Sequence, residues 1–281
     1  MIDFAQQTSV SGEDGKYTAT IHRELSTPFG PFGAYVAGVA LRAAGAHSSF
    51  DRPASLSCHF IKPAQFGNAD LDVTTLRRTK RAESTRVSMT QEGEAILEVM
   101  VWTVAESTGL DHAIPMPEVP HPHELKAFEE LVDVGEQSNP IWQHILEGRP
   151  IFDRPPDKDP PWTFEDFEPG PPNVKEWIRL RTQGAFEDPF VEAARFLMPI
   201  DWMVSNAAFR PHQGNTLWLP TMELTAGFHD LNSGSQWMLA DCESPVARGG
   251  FAWGHARIWS ETGTLMATGA QLMIQRTGSR S

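Results

Sequence analysis

Four cations fall within five positions at Arg77, Arg78, Lys80 and Arg81, with Arg86 just beyond, and no other stretch of the chain is as densely basic. Arginine offers forked, charge-assisted hydrogen bonds, so such a run can clamp phosphate; it can equally be the solvated end of a strand hairpin. Gln271 is a second candidate. In the alternating run Leu265–Gln275, one face carries Leu265, Ala267, Gly269, Gln271 and Met273, which makes Gln271 a lone amide on a small or apolar face. Ten histidines raise the question of metal. His121 and His123 form an HxH with His112 upstream, but all three lie among prolines, without HExxH or a nearby carboxylate pair, and read as loop residues. GxSxG, GxGxxG and GxxxxGK[ST] are all missing, so nucleophile-elbow hydrolases and the dinucleotide and P-loop phosphate cradles lose support.

The elements that would position such groups belong to an ordinary globular chain. Its 281 residues suggest about two domains, and its 40% hydrophobic content excludes disorder as the main state. With 36 acidic against 23 basic residues the net charge is −13. That argues against a nucleic-acid partner, and an anionic small molecule would need a local basic patch. The longest apolar runs, such as Ala34–Leu41, are far shorter than a bilayer span. The first ten residues hold an acidic side chain and no basic region, so no signal peptide is expected. Cys58 and Cys242, far apart and outside any CxxC, read as buried free thiols, which suits a cytoplasmic location.

The chain divides into residues 1–110, a Pro-rich connecting segment 111–173, and residues 174–281. Proline density in the middle cannot sustain central strands or long helices. Short helices are expected over Glu124–Asp133 and Ile141–Glu147, and Trp142, Phe152, Trp162, Phe164 and Phe167 imply that the segment packs on something. The outer blocks repeat. Phe32–Ala44 and Ile200–Phe209 both show helical spacing of apolar residues. Each is followed by a strand with an aromatic–His pair, Ser57–Phe60 and Gly227–His229, and each block ends in a Gly turn, at Gly93 and Gly263. Gly33 to Asp201 and Phe60 to Phe228 are both offsets of 168, and Gly93 to Gly263 is 170. A near-constant offset through three elements implies tandem duplication. One helix with a run of antiparallel strands, twice over, gives an α+β architecture in which each sheet wraps a helix.

Asp201 at the start of the second expected helix, Thr221 eight positions before His229, and Gln271 in the last strand together resemble the acyl-CoA thioesterase II family, the double hotdog thioesterases. Arg248-Gly249 and Gly263-Thr264-Leu265-Met266-Ala267 continue the pattern. In the first half, Phe32-Gly33, Gly38, Leu41, His59-Phe60-Ile61-Lys62-Pro63, Thr75-Leu76-Arg77 and Arg86-Val87 fit the same family. The resemblance covers about Tyr17–Trp102 and Phe196–Gln275. It departs at Glu223-Leu224, where the family has Asp-His, and at Gly227, where it has Trp; both bear on the acyl pocket rather than the trio.

The resemblance implies two tandem hotdogs and hydrolysis of an acyl-CoA thioester to a carboxylic acid and CoA by direct attack of water. Asp201 would be general base or water orienter, Thr221 would position the water, and Gln271 would hydrogen-bond water or substrate. The N-terminus of the Asp201 helix would supply N–H donors to the thioester oxygen. An Asp at a helix start can also be a plain cap. Arg77, Arg78 and Arg81 would bind the CoA phosphates. No metal and no cofactor beyond the substrate's own CoA is expected, nor a membrane partner; a homo-oligomer is. The first-repeat counterparts of the trio, Gly33, Pro53 and Val101, cannot do acid–base work, so one live site per chain is expected. The alternatives are a hotdog enoyl-CoA hydratase, disfavoured by Asn206 where its pattern wants His, and a non-enzymatic acyl-CoA-binding protein.

Overall fold

A computed structural model describes residues 2–133, 145–152, 156–182, 184–212 and 217–276. The first half contributes β1 (Ser11–Glu13), β2 (Lys16–Ile21), a small hairpin of β3 (Ser26–Thr27) and β4 (Gly30–Pro31), then β5 (Arg52–Phe60), β6 (Gly67–Arg78), β7 (Ala82–Gln91) and β8 (Glu94–Val104). The second contributes β9 (Leu146–Ile151), β10 (Asn173–Leu180), β11 (Thr221–Phe228), β12 (Met238–Arg248), β13 (Phe251–Trp259) and β14 (Leu265–Ile274). All but β3 and β4 join one antiparallel sheet, in the order β1-β2-β6-β7-β8-β5-β11-β14-β13-β12-β10-β9. From its outer edge inward, each half follows the same path through its own strands, and β5 pairs with β11 at the seam. The duplication is therefore present in the topology. The α+β architecture expected from the repeat, and the double hotdog that the resemblance implies, are what the chain forms.

Alternation builds the sheet. Along β6, Ala69, Leu71 and Val73 are buried while Asp70, Asp72 and Thr74 are exposed, the period of two that puts one face on the core. Each half wraps one long helix, Gly33–His47 in the first and Pro189–Phe209 in the second. Small residues let these helices touch. A Cβ on Gly38 would lie 3.1 Å from the Ala194 Cβ, and one on Gly45 would lie 2.6 Å from the Phe190 ring. Numbering rises along one helix as it falls along the other, so the pair runs antiparallel. A single apolar core spans both halves. No described helix is long and apolar enough to cross a bilayer. Cys58 and Cys242 are buried and unpaired, as expected.

The second helix is longer than the apolar periodicity indicated. It starts not at Ile200 but at Pro189, where Asp188 caps it by accepting from Phe190 N at 2.9 Å and Val191 N at 3.3 Å. Pro189 at the first helical position suits that start. The helix then runs through Pro199, so Asp201 lies in its interior and caps nothing there.

The Pro-rich segment packs on the outside of the second half. Met116, Val119 and Leu125 cover Trp177, Trp237, Leu239 and Trp259, and Trp177 Nε1 donates to the Pro120 carbonyl at 2.9 Å. Phe152, Trp162 and Phe167 form a further small cluster, whereas Phe164 is exposed. Trp142 lies outside the described residues. The helix expected over Glu124–Asp133 is only a turn at Pro122–Glu124 and a single turn at Phe128–Leu131. Of the other expected helix, residues 141–144 lie outside the described residues, and Leu146 and Glu147 open β9 instead. That strand is the sheet's edge, where Pro150 is tolerated.

Candidate active site

Three elements carry three polar side chains to one buried point. Asp201 projects from the second central helix and is 5% exposed; Gln271, on the inward face of β14, is 1% exposed. Thr221 opens β11, where the pairing register shifts between Thr221 and Glu223. Such a bulge re-aims a side chain, and Thr221 accordingly faces Asp201 although strict alternation from Leu224 would turn it outward. Its hydroxyl donates to Asp201 Oδ1 at 2.7 Å. Gln271 Nε2 donates to the same Oδ1 at 2.7 Å and to the Asp201 carbonyl at 3.0 Å, and also meets Thr221 Oγ1. A carboxylate demands the amide's NH₂ end, which turns Gln271 Oε1 away. That oxygen is buried and has no partner among the described residues.

The helix N-terminus at this point belongs to the other repeat, which corrects the expectation from sequence. Ala34, in the first turn of Gly33–His47, donates its N–H to Asp201 Oδ2 at 2.8 Å. The unpaired N–H groups and positive dipole end of that helix are therefore directed at the carboxylate. Gly33 permits the approach: a Cβ there would stand 2.9 Å from Asp201 Oδ2 and 3.4 Å from the Phe60 ring. Burial pushes Asp201 from its ordinary 3.8 up to about 6, against the downward pull of the Thr221, Ala34 and Gln271 hydrogen bonds. A carboxyl titrating near 6 is suited to take a proton and return it near neutrality.

Two sequence profiles match this chain. That of the acyl-CoA thioesterase N-terminal domain covers residues 21–104, and that of the C-terminal domain covers residues 117–275. The chain belongs to the acyl-CoA thioesterase family. Among its relatives is acyl-coenzyme A thioesterase 8 of Homo sapiens, 27% identical over 253 residues that span 85% of this chain and 78% of the human protein. The fold is shared with the acyl-CoA thioesterase II TesB2 of Mycobacterium marinum, at TM-score 0.77 and 19% identity with 99% of each chain covered. It is shared too with a hot dog protein of unknown function from Alicyclobacillus acidocaldarius, at TM-score 0.78 and 19% identity over 98% of each chain.

As a member of this family the chain acts on acyl-CoA thioesters, and the remaining candidates can be placed against that substrate. The trio is brought together; the arginine cluster is not brought to it. Register runs from Glu223 through His59, Glu98 and Ser88 to Asp72, and Arg77 and Arg78 lie further along β6, away from the Thr221 end. That is about 20 Å along the strands, with four strands crossed. Arg78 is moreover paired with the buried Glu83 at 2.7 Å. Although burial pushes Glu83 up, Arg78, the Ser49 N–H and the Thr75 hydroxyl hold it down at about 2. A groove of about 830 Å³ lined by Ser57, Met100, Trp102, Thr225 and Thr268 opens on the outer face of the sheet, not toward Asp201. His121 approaches Glu261 at 4.0 Å, and no group of three metal-ligating side chains occurs among the described residues. Residue types could not reveal Ala34, whose contribution is a backbone N–H. Gly33 was marked by its place in the repeat and by the Phe32-Gly33 pair of the family resemblance, neither of which showed its contact with Asp201.

Proposed function

We propose that Asp201, Thr221 and Gln271 hydrolyse the acyl-CoA thioester by direct attack of water, with the first helix's N-terminus stabilising the oxyanion. The observation that carries this reading is the convergence, on one buried carboxylate, of a hydroxyl, an amide and a helix-terminal N–H from three separate elements, the carboxylate standing on a fourth. Asp201 accepts a proton from water as its oxygen bonds to the thioester carbon. Gln271 Oε1, the unpartnered acceptor, accepts a hydrogen bond from the water's second O–H, which stays on the oxygen that joins the product acid. Thr221 and the Gln271 NH₂ hold the carboxylate in place. The carbonyl oxygen becomes an oxyanion against the first-turn N–H groups beside Ala34, whose own N–H stays on Asp201 Oδ2; this type of arrangement contributes most to acyl transfer. Collapse breaks the carbon–sulfur bond, and the proton on Asp201 leaves with the CoA thiolate. These steps use no metal and no cofactor other than the CoA of the substrate.

Asp201→Asn tests the assignment. It preserves shape and removes the base, so thiol release across a panel of acyl-CoAs should fall about 10²–10⁴-fold. Activity within twofold of wild type would refute the role of Asp201. Intact mass during turnover should show no acyl adduct; a covalent acyl-enzyme would refute direct attack.

A further inference from the structure

We propose that the stacked rings of Phe29 and Trp218 form a clasp that positions the first helix's N–H donors against Asp201 and Thr221. The proposal rests on the reading of Asp201 as the base. The two ring centroids are 4.7 Å apart and their planes differ by 11°. Each ring stands just ahead of a working group. Phe29 sits at the tip of the β3–β4 hairpin, which leads directly into Gly33 and Ala34, while Trp218 precedes Thr221 by three residues. The stack is thus a side-chain link between the two repeats that does not pass through Asp201.

Both rings are mounted on braced backbone. On the first-repeat side, Phe29 N donates to Thr27 Oγ1 at 3.2 Å, Thr27 Oγ1 donates to the Gly30 carbonyl at 3.2 Å, and Phe32 N reaches back to the Leu25 carbonyl at 3.0 Å. On the second-repeat side, Trp218 exchanges two backbone hydrogen bonds with Arg276, at 3.2 and 3.1 Å, and Ile274 N donates to the Pro220 carbonyl at 3.1 Å. Trp218 is therefore fastened to the end of the strand that carries Gln271. Phe29 keeps 48% of its surface exposed. A half-exposed ring outside the apolar core contributes less packing than a buried one, so its loss removes alignment more than core packing.

If the clasp sets the distance between Ala34 and the carboxylate, breaking it has two effects. The reaction slows, because small misplacements in a preorganised site cost up to about 10²-fold. The base also becomes harder to ionise, because the Ala34 N–H is one of the groups pulling Asp201 down. The groups facing Asp201 are Thr221, Gln271, the Ala34 N–H and the Cys58 thiol of β5. Burial and the carboxylate both push that thiol up, so it stays neutral across the working range. The acidic limb of the rate profile therefore reports Asp201.

The test compares wild type, Phe29→Ala, Trp218→Ala, Trp218→Phe and Asp201→Asn by kcat, KM and kcat/KM between pH 5 and 9, with melting temperature recorded for each. The substrate is the acyl-CoA that wild type turns over fastest. Phe29→Ala and Trp218→Ala should lose about 10- to 10²-fold in kcat with KM little changed, and their acidic limbs should move to higher pH. Trp218→Phe keeps a ring and should keep both properties near wild type. A folded Phe29→Ala with wild-type kcat and limb, whatever its melting temperature, overturns the clasp; if that variant does not fold, Phe29→Leu is judged by the same two readings. Activity surviving in Asp201→Asn would instead overturn the catalytic reading beneath it.

Discussion

Replacing Asp201 with Asn should stabilise the protein at neutral pH while it abolishes turnover. Burial raises the Asp201 carboxyl from 3.8 to about 6 on folding. Because the folded value lies above the unfolded one, the native state holds its proton more tightly. The associated stability is complete below about pH 4 and is lost as pH rises through 6. A shift of about two units corresponds to about 3 kcal/mol of penalty for the ionised form, fully felt at pH 7. Asn carries no charge to desolvate and still offers one oxygen to the Ala34 N–H or to Thr221, so about 3 kcal/mol is the ceiling of the gain. Urea unfolding of both proteins at pH 4 and pH 7.5 measures it. The variant should match wild type at pH 4 and exceed it by about 1–3 kcal/mol at pH 7.5. Wild-type kcat/KM should rise through the same pH, near 6, since the same ionisation creates the base. Equal stabilities at pH 7.5, or a wild-type limb near pH 4, would show that the carboxylate is not held at the cost inferred from its burial.

Three further outcomes follow from particular contacts. Gly33→Ala places a methyl 2.9 Å from Asp201 Oδ2 and should lower kcat by about 10²-fold, with steady-state assays at saturating substrate as the check. Arg77→Ala combined with Arg81→Ala should leave KM within twofold, because the cluster lies at the far end of β6; a marked rise, smaller for a pantetheine thioester lacking the nucleotide, would place those arginines on the coenzyme. Glu83→Gln should cost about 1–3 kcal/mol at pH 7. Since folding holds Glu83 at about 2, below its ordinary 4.5, its stabilisation is present above pH 4.5 and lost as pH falls toward 2, so the variant and wild type should converge in acid urea melts.

What sequence conveyed and what it withheld divide along physical lines. The constant offset between Gly33 and Asp201 and between Phe60 and Phe228 exposed the duplication, because each repeat must bury the same helix against the same strands. Gln271 stood out because an amide on an otherwise small face needs a reason. The start of the second helix was misread for an equally physical cause. Helical spacing is plain from Ile200 onward, whereas the start signal, Asp188-Pro189, stands eleven residues upstream, with Pro199 inside the helix between them. The inward turn of Thr221 depends on a bulge that leaves no mark on residue type. The basic cluster shows what local density leaves open: of four cations within five positions, Arg78 is drawn to the buried carboxylate of Glu83, and their spacing in sequence says nothing about distance from Asp201.

The same helix extension accounts for a constellation like that of Asp201 occurring at one of the two positions the duplication relates. A mirror site would require an acid at Gly33 and, opposite it, a free helix N-terminus near residue 202. Neither exists. Gly33 has no side chain, and the second helix begins twelve residues before Asp201, so the N–H groups around residue 202 are consumed by intrahelical bonds. The added turns are not idle. Phe190 and Ala194 lie on them, and through Gly45 and Gly38 they lengthen the antiparallel contact between the central helices. That contact brings Asp201 level with Gly33 and Ala34. The helix extension that leaves no free N-terminus near residue 202 is therefore also what aligns Asp201 with the first helix, and a chain shortened by those turns would lose Asp201 from the donor helix rather than gain a second centre.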